Sequence, residues 1–399
     1  MMARTKRKAS PGRQASPGRE PGGNTALQEN VETNRGITIG LTADARRMSR
    51  CDKRIVAVAL LVAMIGTVFD RAPLQAEDVV YVAGAKRGQP PAQWKGQIVK
   101  YTGKELELRT SLGTTKKFLA ARIVKINTPL TEDHKAADAL LAQGKYAAAL
   151  ARYVAARNKD GRQWMRRRIF AQEVWCHRAL GQFGLAGEQF IILYQSDPTT
   201  ALVDCVPLAW GALPFSGSLE RRAGEWMARA DSPITSLLGA SHLLSSASRR
   251  NEALERLGRL ATDHDPNIAI LAQAQLWRSQ VVTAGPRQVA TWQRAIEKMP
   301  KPLRAGPYYV LGQALAREKN GQYEEAALAF LRIATLYENN LTLSSAALLE
   351  AGSALESLSR NGEARNGEAR DLYQQLVREH PRSPAAASAR ERLRTLKIP

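Results

Sequence analysis

One pattern of small and aromatic residues recurs along the chain and restricts what most of it can fold into. It is clearest in the segments GKYAAALARYVAA (144–156), GQFGLAGEQFIILYQSDP (181–198) and GQYEEAALAFLRIATLY (321–337). In each segment a glycine comes two positions before an aromatic residue, an alanine follows three positions later, and a second aromatic follows four positions after that. Glycine lets a helix end and the chain turn, whereas the alanine and the second aromatic share one helix face. The pattern therefore predicts a series of helical hairpins.

The same register continues through residues 129–399, about two thirds of the chain, with degenerate copies between the clear ones. The positions equivalent to the alanine are Ala149, Ala186, Ala223, Ala253, Val289 or Ala290, Ala326 and Ala369. With Ala290 as the fifth, the first six positions differ by 37, 37, 30, 37 and 36 residues. Such drift around a fixed period is what stacked helical hairpins tolerate in their loops.

Because of this pattern, residues 129–399 resemble a tetratricopeptide-repeat array, whose unit is a helix–turn–helix of about 34 residues. The segment 368–393 resembles the last repeat and closing helix of periplasmic Tol–Pal coordinators and outer-membrane assembly lipoproteins of bacteria. The resemblance implies a mainly α chain, a tetratricopeptide-like superhelix with a C-terminal capping helix, and a concave groove that binds protein or peptide segments. It implies a non-catalytic exported scaffold or adaptor of the cell envelope, without a cofactor.

In such arrays the first helix of each pair lines the groove, which here means segments 132–143, 164–180, 201–213 and 303–319. Within these segments the predicted partner contacts are Arg166, Arg167, Gln172, Trp175, Tyr308 and Gln313. Each of them is also compatible with a core position or plain surface.

A tandem duplication of NGEAR, at 361–365 and 366–370, interrupts the last predicted repeat. Five extra residues inside a helix would rotate everything after them by about 140°. We therefore expect the extra copy to lie in the loop between two paired helices, where Asn-Gly steps are suitable.

Residues 77–127 have a different period. In KELELRT, Leu106 and Leu108 alternate with charged residues, as in a half-buried strand. Thr102-Gly103 and Leu112-Gly113 stand where hairpin turns belong. The sequence predicts four or five short strands in a small SH3-like, barrel-like module that either binds a ligand or packs on the helical array.

The N-terminus is typical of a leader. Residues 1–47 are basic and lack hydrophobic periodicity, which predicts a disordered extension, and Met48 stands where translation of an exported chain would begin. Residues 48–76 form a predicted signal peptide, with a positive start, the apolar run 55–69 (IVAVALLVAMIGTVF) and cleavage after Ala76. The chain would then contact a membrane only transiently, during export to the periplasm. The alternative is an uncleaved anchor at residues 55–69.

The sequence contains no recognisable catalytic or cofactor motif. It lacks the P-loop, dinucleotide-binding, nucleophile-elbow and H-E-x-x-H patterns. The histidines lack metal-ligand spacing; they are His134, His177, His242, His264 and His380. After cleavage, two cysteines remain, Cys176 and Cys205, either as a disulfide or as two buried thiols. An enzyme is therefore not expected, although an envelope enzyme with an unrecognised site stays open.

The net charge of +21 is only partly due to the N-terminus. Residues 1–76 hold 13 of 58 basic and 6 of 37 acidic residues, which leaves 45 against 31, or +14, downstream. The densest basic cluster consists of Arg157, Lys159, Arg162, Arg166, Arg167 and Arg168. We interpret it as a solvated face and expect no nucleic acid. The alternative is a membrane-anchored or cytoplasmic protein that binds nucleic acid or anionic lipid.

Overall fold

The computed structural model describes residues 77–396 apart from 85, 87, 212–214, 318–320 and 363. The described residues all belong to one compact unit. The predicted extension 1–47, the signal peptide 48–76 and the alternative anchor 55–69 lie outside the described residues. Within the described ranges, no helix combines the length and the apolar character needed to cross a bilayer.

The segment with alternating residues folds into a five-stranded antiparallel sheet, as the sequence predicts. Its strands are β1 (Asp78–Val82), β2 (Ala92–Tyr101), β3 (Glu105–Arg109), β4 (Thr115–Leu119) and β5 (Ile123–Asn127), in the order β4-β3-β2-β1-β5. Leu106 and Leu108 are fully buried, and both predicted turns occur where expected. No ladder joins the edge strands β4 and β5 in the described residues, so closure into an SH3-like barrel stays a prediction.

The sheet shares one hydrophobic cluster with the first helices. Val80 and Leu106 from the sheet belong to the same buried cluster as Tyr153, Met165 and Ile169 from the helices. At Gly103, in the turn between β2 and β3, the backbone N–H donates to Asp197 Oδ2 at 3.0 Å. The described residues therefore use this module as a packing partner of the helical array, which is one of the two roles that its sequence suggests.

The rest of the described chain is mainly helical. The first seven α-helices are α1 (Glu132–Ala142), α2 (Tyr146–Lys159), α3 (Gln163–Ala179), α4 (Phe183–Ser196), α5 (Gly217–Met227), α6 (Pro233–Leu243) and α7 (Arg250–Leu260). The next seven are α8 (Pro266–Gln280), α9 (Pro286–Lys298), α10 (Ala305–Leu315), α11 (Tyr323–Leu336), α12 (Leu341–Arg360), α13 (Asn366–Glu379) and α14 (Pro384–Thr395). Most helices pack on their neighbours in sequence.

The predicted repeat positions lie in the helix contacts. The buried residues of this set are Ala149, Ala186, Ala223, Ala253, Val289, Ala326 and Ala369. At the ambiguous fifth position Val289 faces the core, whereas Ala290 is exposed. The glycines that precede the three clearest copies, Gly144, Gly181 and Gly321, have φ of 68°, 72° and 61°. These left-handed values are the helix ends that the pattern predicts.

One predicted helix is wrong. Residues 201–213 do not form the first helix of the third pair. Instead a 3₁₀ turn, Ala201–Cys205, leads into segment 206–211, which has no regular secondary structure. Pro207 is one cause, because a proline disfavours helical geometry at the preceding residue, and Val206 has a ψ of 123°. Helix α5 therefore has no first helix of its own within the described residues.

The duplicated pentapeptide lies as predicted. Helix α12 ends at Arg360 and α13 begins at Asn366, so the first copy of NGEAR falls between the two helices. Gly362 there has a φ of 101°. Ala369, Tyr373 and Leu376 in α13 are fully buried, which shows that the helix keeps its repeat register.

The helices also make contacts far beyond their neighbours. Helix α3 packs against α12, and the 3₁₀ turn Ala201–Cys205 packs against a second one, Lys301–Leu303. A simple repeat array has only nearest-neighbour contacts. The helices therefore surround segment 206–211, and a regular superhelical course stays a prediction.

Candidate functional site

Segment 206–211, which has no regular secondary structure, crosses the interior of the helical unit. Its residues Val206, Leu208 and Trp210 are 5%, 3% and 6% exposed. Trp210 lies so close to Gly306 of α10 that a Cβ at this glycine would be 2.0 Å from the indole. A buried backbone without regular secondary structure must find partners for its N–H and C=O groups. Leu208 N–H donates to the carbonyl of Val206 at 2.9 Å within the segment itself.

Side chains supply those partners at Ala209. Its N–H donates to Ser241 Oγ at 2.9 Å. Its carbonyl accepts from Gln275 Nε2 at 3.1 Å and from Arg278 Nη1 at 3.0 Å. Helices α6 and α8 thus bind this backbone as a groove would bind an extended peptide.

His242 of α6 holds the neighbouring carbonyl of Pro207 at 2.9 Å. Because a carbonyl can only accept, the Nε2 of His242 carries the proton. Burial lowers the pKa of His242 to about 4, so the ring is neutral near pH 7. Burial also lowers the pKa of Arg278 to about 10, which leaves the guanidinium charged at that pH.

Arg178, at the end of α3, is the second buried guanidinium of this centre. Its Nη1 donates to Cys205 O at 3.3 Å, and its Nη2 donates to Asn340 Oδ1 at 2.8 Å. The group lies 4.3 Å from the centroid of the Trp175 ring. Its Nε has no hydrogen-bond partner within the described part of the chain. Burial lowers its pKa to about 10, so it remains a cation near neutral pH.

Two cavities open beside segment 206–211, and Trp210 lines both. The smaller, of about 280 Å³, is bounded by Trp175, Leu271, Tyr337 and Asn340, among others. The larger, of about 550 Å³, lies where α3, α10, α12 and the turn before α14 meet. These cavities and the segment between them form the candidate site.

The structure places two of the six predicted contact residues at these cavities. Trp175 lines the smaller one and Gln313 lines the larger one. Their role in binding stays a prediction.

The other four predicted residues lie elsewhere. The guanidinium of Arg167 is buried against the sheet, where it donates to the carbonyl of Tyr101. Tyr308 is 6% exposed and packs under Arg332. Arg166 is exposed and Gln172 is partly buried, both on α3. The structure therefore does not bring the six residues together, because the predicted helix 201–213, which would have lined the groove beside α3, does not form.

The basic cluster is largely engaged within the fold. Arg157 Nε lies 2.7 Å from Glu173, Lys159 Nζ lies 2.6 Å from Asp133, and Arg162 Nη2 lies 2.6 Å from Asp160. Such pairs reduce the positive potential that phosphate binding would require. The geometry thus gives no specific support to the nucleic-acid or lipid alternative.

Cys176 and Cys205 are free and buried, as the two-thiol alternative predicts. Burial raises the pKa of Cys176 to about 12 and also raises that of Cys205. Among the described residues, no group of His, Cys, Asp and Glu could hold a metal ion. Both thiols are therefore protonated near neutral pH.

The sequence-based reasoning missed the side chains that hold segment 206–211. Ser241, His242, Gln275 and Arg278 are polar residues on otherwise apolar helix faces. These polar residues, at positions within largely apolar helices, were the signal in the sequence that could have indicated buried polar contacts. Their partners are backbone atoms 32 to 69 positions away, which no local pattern reveals.

No protein-family model matches the sequence, and a comparison with curated proteins finds no match.

Proposed function

We propose that this protein is a non-catalytic scaffold or adaptor that is exported to the bacterial cell envelope and binds protein segments through a tetratricopeptide-like helical array. The repeat positions support the class of array: the small residues are buried between paired helices, and glycines with positive φ end the helices. The SH3-like module serves in this proposal as a packing partner.

The observation that carries the proposal is segment 206–211 itself. Helices α6 and α8 recognise its backbone with Ser241, Gln275 and Arg278, and none of these contacts depends on the side chain of Ala209. Recognition of main-chain groups is how many proteins bind extended peptides of varied sequence. The same interior thus has the chemistry that a partner segment needs.

We place the partner at the smaller cavity. Trp175, Leu271 and Trp210 offer apolar walls, and Asn340 offers a polar rim. Aromatic side chains in partly enclosed sites contribute much of the binding energy of protein interfaces. A helical or extended segment with one bulky apolar side chain would be complementary to this cavity.

The proposal is tested by site-specific photo-crosslinking in intact cells. A photoreactive amino acid at Lys301, an exposed residue of the cavity wall, should give discrete protein adducts. The same amino acid at Arg259, exposed on α7 and outside this cavity, is the matched control. Adducts at Lys301 that Trp175→Ala abolishes would support the proposal. Equal labelling at both positions, or none at either, would contradict it.

Export is tested separately. Cells are fractionated and the native protein is analysed by mass spectrometry. We expect a soluble periplasmic species that begins at Glu77. A species that keeps Met1 or Met48, in the membrane or the cytoplasm, would reject cleavage after Ala76.

A further inference from the structure

We propose that the larger cavity binds a small apolar carboxylate, of the kind represented by medium-chain alkanoates, with Arg178 as the charge partner of the carboxylate. This site is distinct from the smaller cavity, and the proposal does not depend on the protein-binding function.

The cavity has the size and the walls of a small-molecule site. Its volume of about 550 Å³ lies within the usual range of ligand pockets, roughly 300–1,000 Å³. Its apolar wall includes Phe183, Leu208, Trp210, Leu343 and Leu349. These residues come from α4, segment 206–211 and α12, so the pocket exists only in the assembled unit.

Arg178 gives this apolar cavity a buried cation that has no carboxylate in ion-pair contact among the described residues. Its side chain lines the cavity and is 5% exposed. Its two Nη groups donate to a carbonyl and an amide, both neutral, and its Nε donates to no described group. No carboxylate of the described residues forms an ion pair with it, and the carboxyl of Asp204 acts on it only through longer-range electrostatics. A buried charge costs several kcal/mol unless it is paired, and a carboxylate at the open Nε would supply a charge-assisted hydrogen bond.

The other titratable groups of the wall favour one carboxylate over a more highly charged group. Burial raises the pKa of Glu350, whose carboxyl is hydrogen-bonded by the Tyr309 hydroxyl. Burial lowers the pKa of His380, so this ring does not add a cation near pH 7. Arg382, at the exposed rim, is the second basic residue of the cavity. A phosphate would bring more charge than this wall can neutralise, whereas the apolar area suits a hydrocarbon chain.

Isothermal titration calorimetry of the protein as purified from its cells, with decanoate below its micelle concentration, tests the site. We expect saturable binding of one decanoate per chain. Decanol, which has the same chain without the charge, should bind at least about tenfold more weakly, since a hydrogen bond to a charged group contributes about 1.5–3 kcal/mol. Equal affinity for decanol and decanoate would overturn the assignment to Arg178, and so would the absence of saturable decanoate binding.

Matched variants separate charge recognition from loss of structure. Arg178→Gln should raise the dissociation constant at least about tenfold. Arg167→Gln removes another buried guanidinium, which donates to the carbonyl of Tyr101 and does not line the cavity, and it should change the constant less than about twofold. An equal loss in both variants would show that the effect is structural and would reject the proposal.

A third variant keeps the test valid if Arg178→Gln does not fold. Ala346, on the cavity wall and partly buried, can be changed to Phe without removing a side-chain hydrogen bond. Ala346→Phe should fill the cavity and abolish decanoate binding while the helical circular dichroism spectrum is kept. Unchanged binding in a folded Ala346→Phe protein would place the ligand elsewhere.

Discussion

Single polar side chains determine how the centre of this molecule is held together. Ser241 and His242 are 0% and 1% exposed, yet both are bonded to backbone of a different segment. A buried polar group that loses its partner costs about 1–3 kcal/mol. The stability of the centre therefore depends on the ionisation and the geometry of a few residues.

Loss of His242 should make stability less sensitive to acid. The ring has a pKa of about 4 in the folded chain because of burial, and about 6.5 when unfolded. Between these values the unfolded chain binds the extra proton, so the free energy of unfolding falls as pH falls from about 6.5 to about 4. The loss from this residue amounts to about 3 kcal/mol over the window. Urea unfolding of the native protein and of His242→Gln at several pH values measures it.

The glutamine can still donate to the Pro207 carbonyl, so the variant should fold. If His242→Gln keeps the full slope of the native protein, the pH dependence arises from other groups.

Two glycines in helix interiors should respond oppositely to the same substitution. At Gly239 in α6, a Cβ would lie 2.3 Å from Ala223 O and 2.4 Å from Met227 N, because α5 and α6 pack backbone to backbone. Gly239→Ala should therefore lower the free energy of unfolding by about 1–3 kcal/mol. At Gly258 in α7 a Cβ meets nothing within 4 Å, and Gly258→Ala should raise it by about 0.5–1 kcal/mol. Urea titrations that show the same sign at both sites would contradict this account.

At the scale of elements, the sequence predicts what local periodicity can encode. The alternation of apolar and charged residues around Leu106 predicts β3, and the pattern of small and aromatic residues predicts helices such as α2, α4 and α11. Both predictions succeed because all the residues of each pattern lie within a single element. The helix predicted for segment 201–213 was wrong because a short apolar run is equally compatible with a helix and with an interior strand. The choice between them is made by Ser241, Gln275 and Arg278, which become neighbours only in the folded chain.

The candidate site was predictable to the same limited extent. Trp175 and Gln313 could be placed on first helices, and both line cavities. Arg178 could not be selected, because its importance arises from Asn340 and Cys205, which lie 162 and 27 positions away.

Removal of one NGEAR copy should be tolerated. Deletion of residues 361–365 removes the whole connection between α12 and α13, so that the second copy must leave the first turn of α13 to supply a new turn. Changes in loop length alter closure entropy by only about 0.6 kcal/mol per doubling. We expect a similar helical circular dichroism spectrum and a Tm that falls by only a few degrees.

Deletion of residues 346–350, equally long but inside α12, is the control. It rotates the rest of the helix by about 140° and should abolish cooperative unfolding. If the deletion of residues 361–365 is as damaging, the extra copy has a structural role.

At the scale of the whole molecule, contacts between distant helices link the ends of the array. Arg178 of α3 is bonded to Asn340 at the start of α12. Repeat arrays with nearest-neighbour contacts alone can lose cooperativity when they are long. Here the cross-contact and the buried segment tie the early and late helices into one unit.

Asn340→Ala should therefore destabilise the whole unit rather than one helix end. The substitution leaves a buried Arg178 nitrogen without its acceptor, at a cost of about 1–3 kcal/mol. Urea unfolding followed by circular dichroism and by tryptophan fluorescence should give one shared transition at a lower midpoint. Asn340 also caps α12 by accepting a hydrogen bond from the N–H of Leu343. Ser383→Ala removes the corresponding N-cap bond of α14 alone and should lower the free energy of unfolding by about 1 kcal/mol. Separate transitions for the two probes in the native protein would contradict this coupling.

The buried segment also sets an order of events during synthesis. The hydrogen bond of the Ala209 carbonyl can form only after Arg278, 69 positions later, has been synthesised. The hydrogen bond of Arg178 requires Asn340, 162 positions later. A chain that leaves the ribosome or a secretion channel from its N-terminus can close its first hairpins early, but Leu208 and Trp210 stay in water until α8 and α10 have emerged. Contacts of such separation form slowly. The nascent protein thus exposes the apolar segment 206–211 to water for much of its elongation. The contacts around this segment can all form only when nearly all of the chain has emerged.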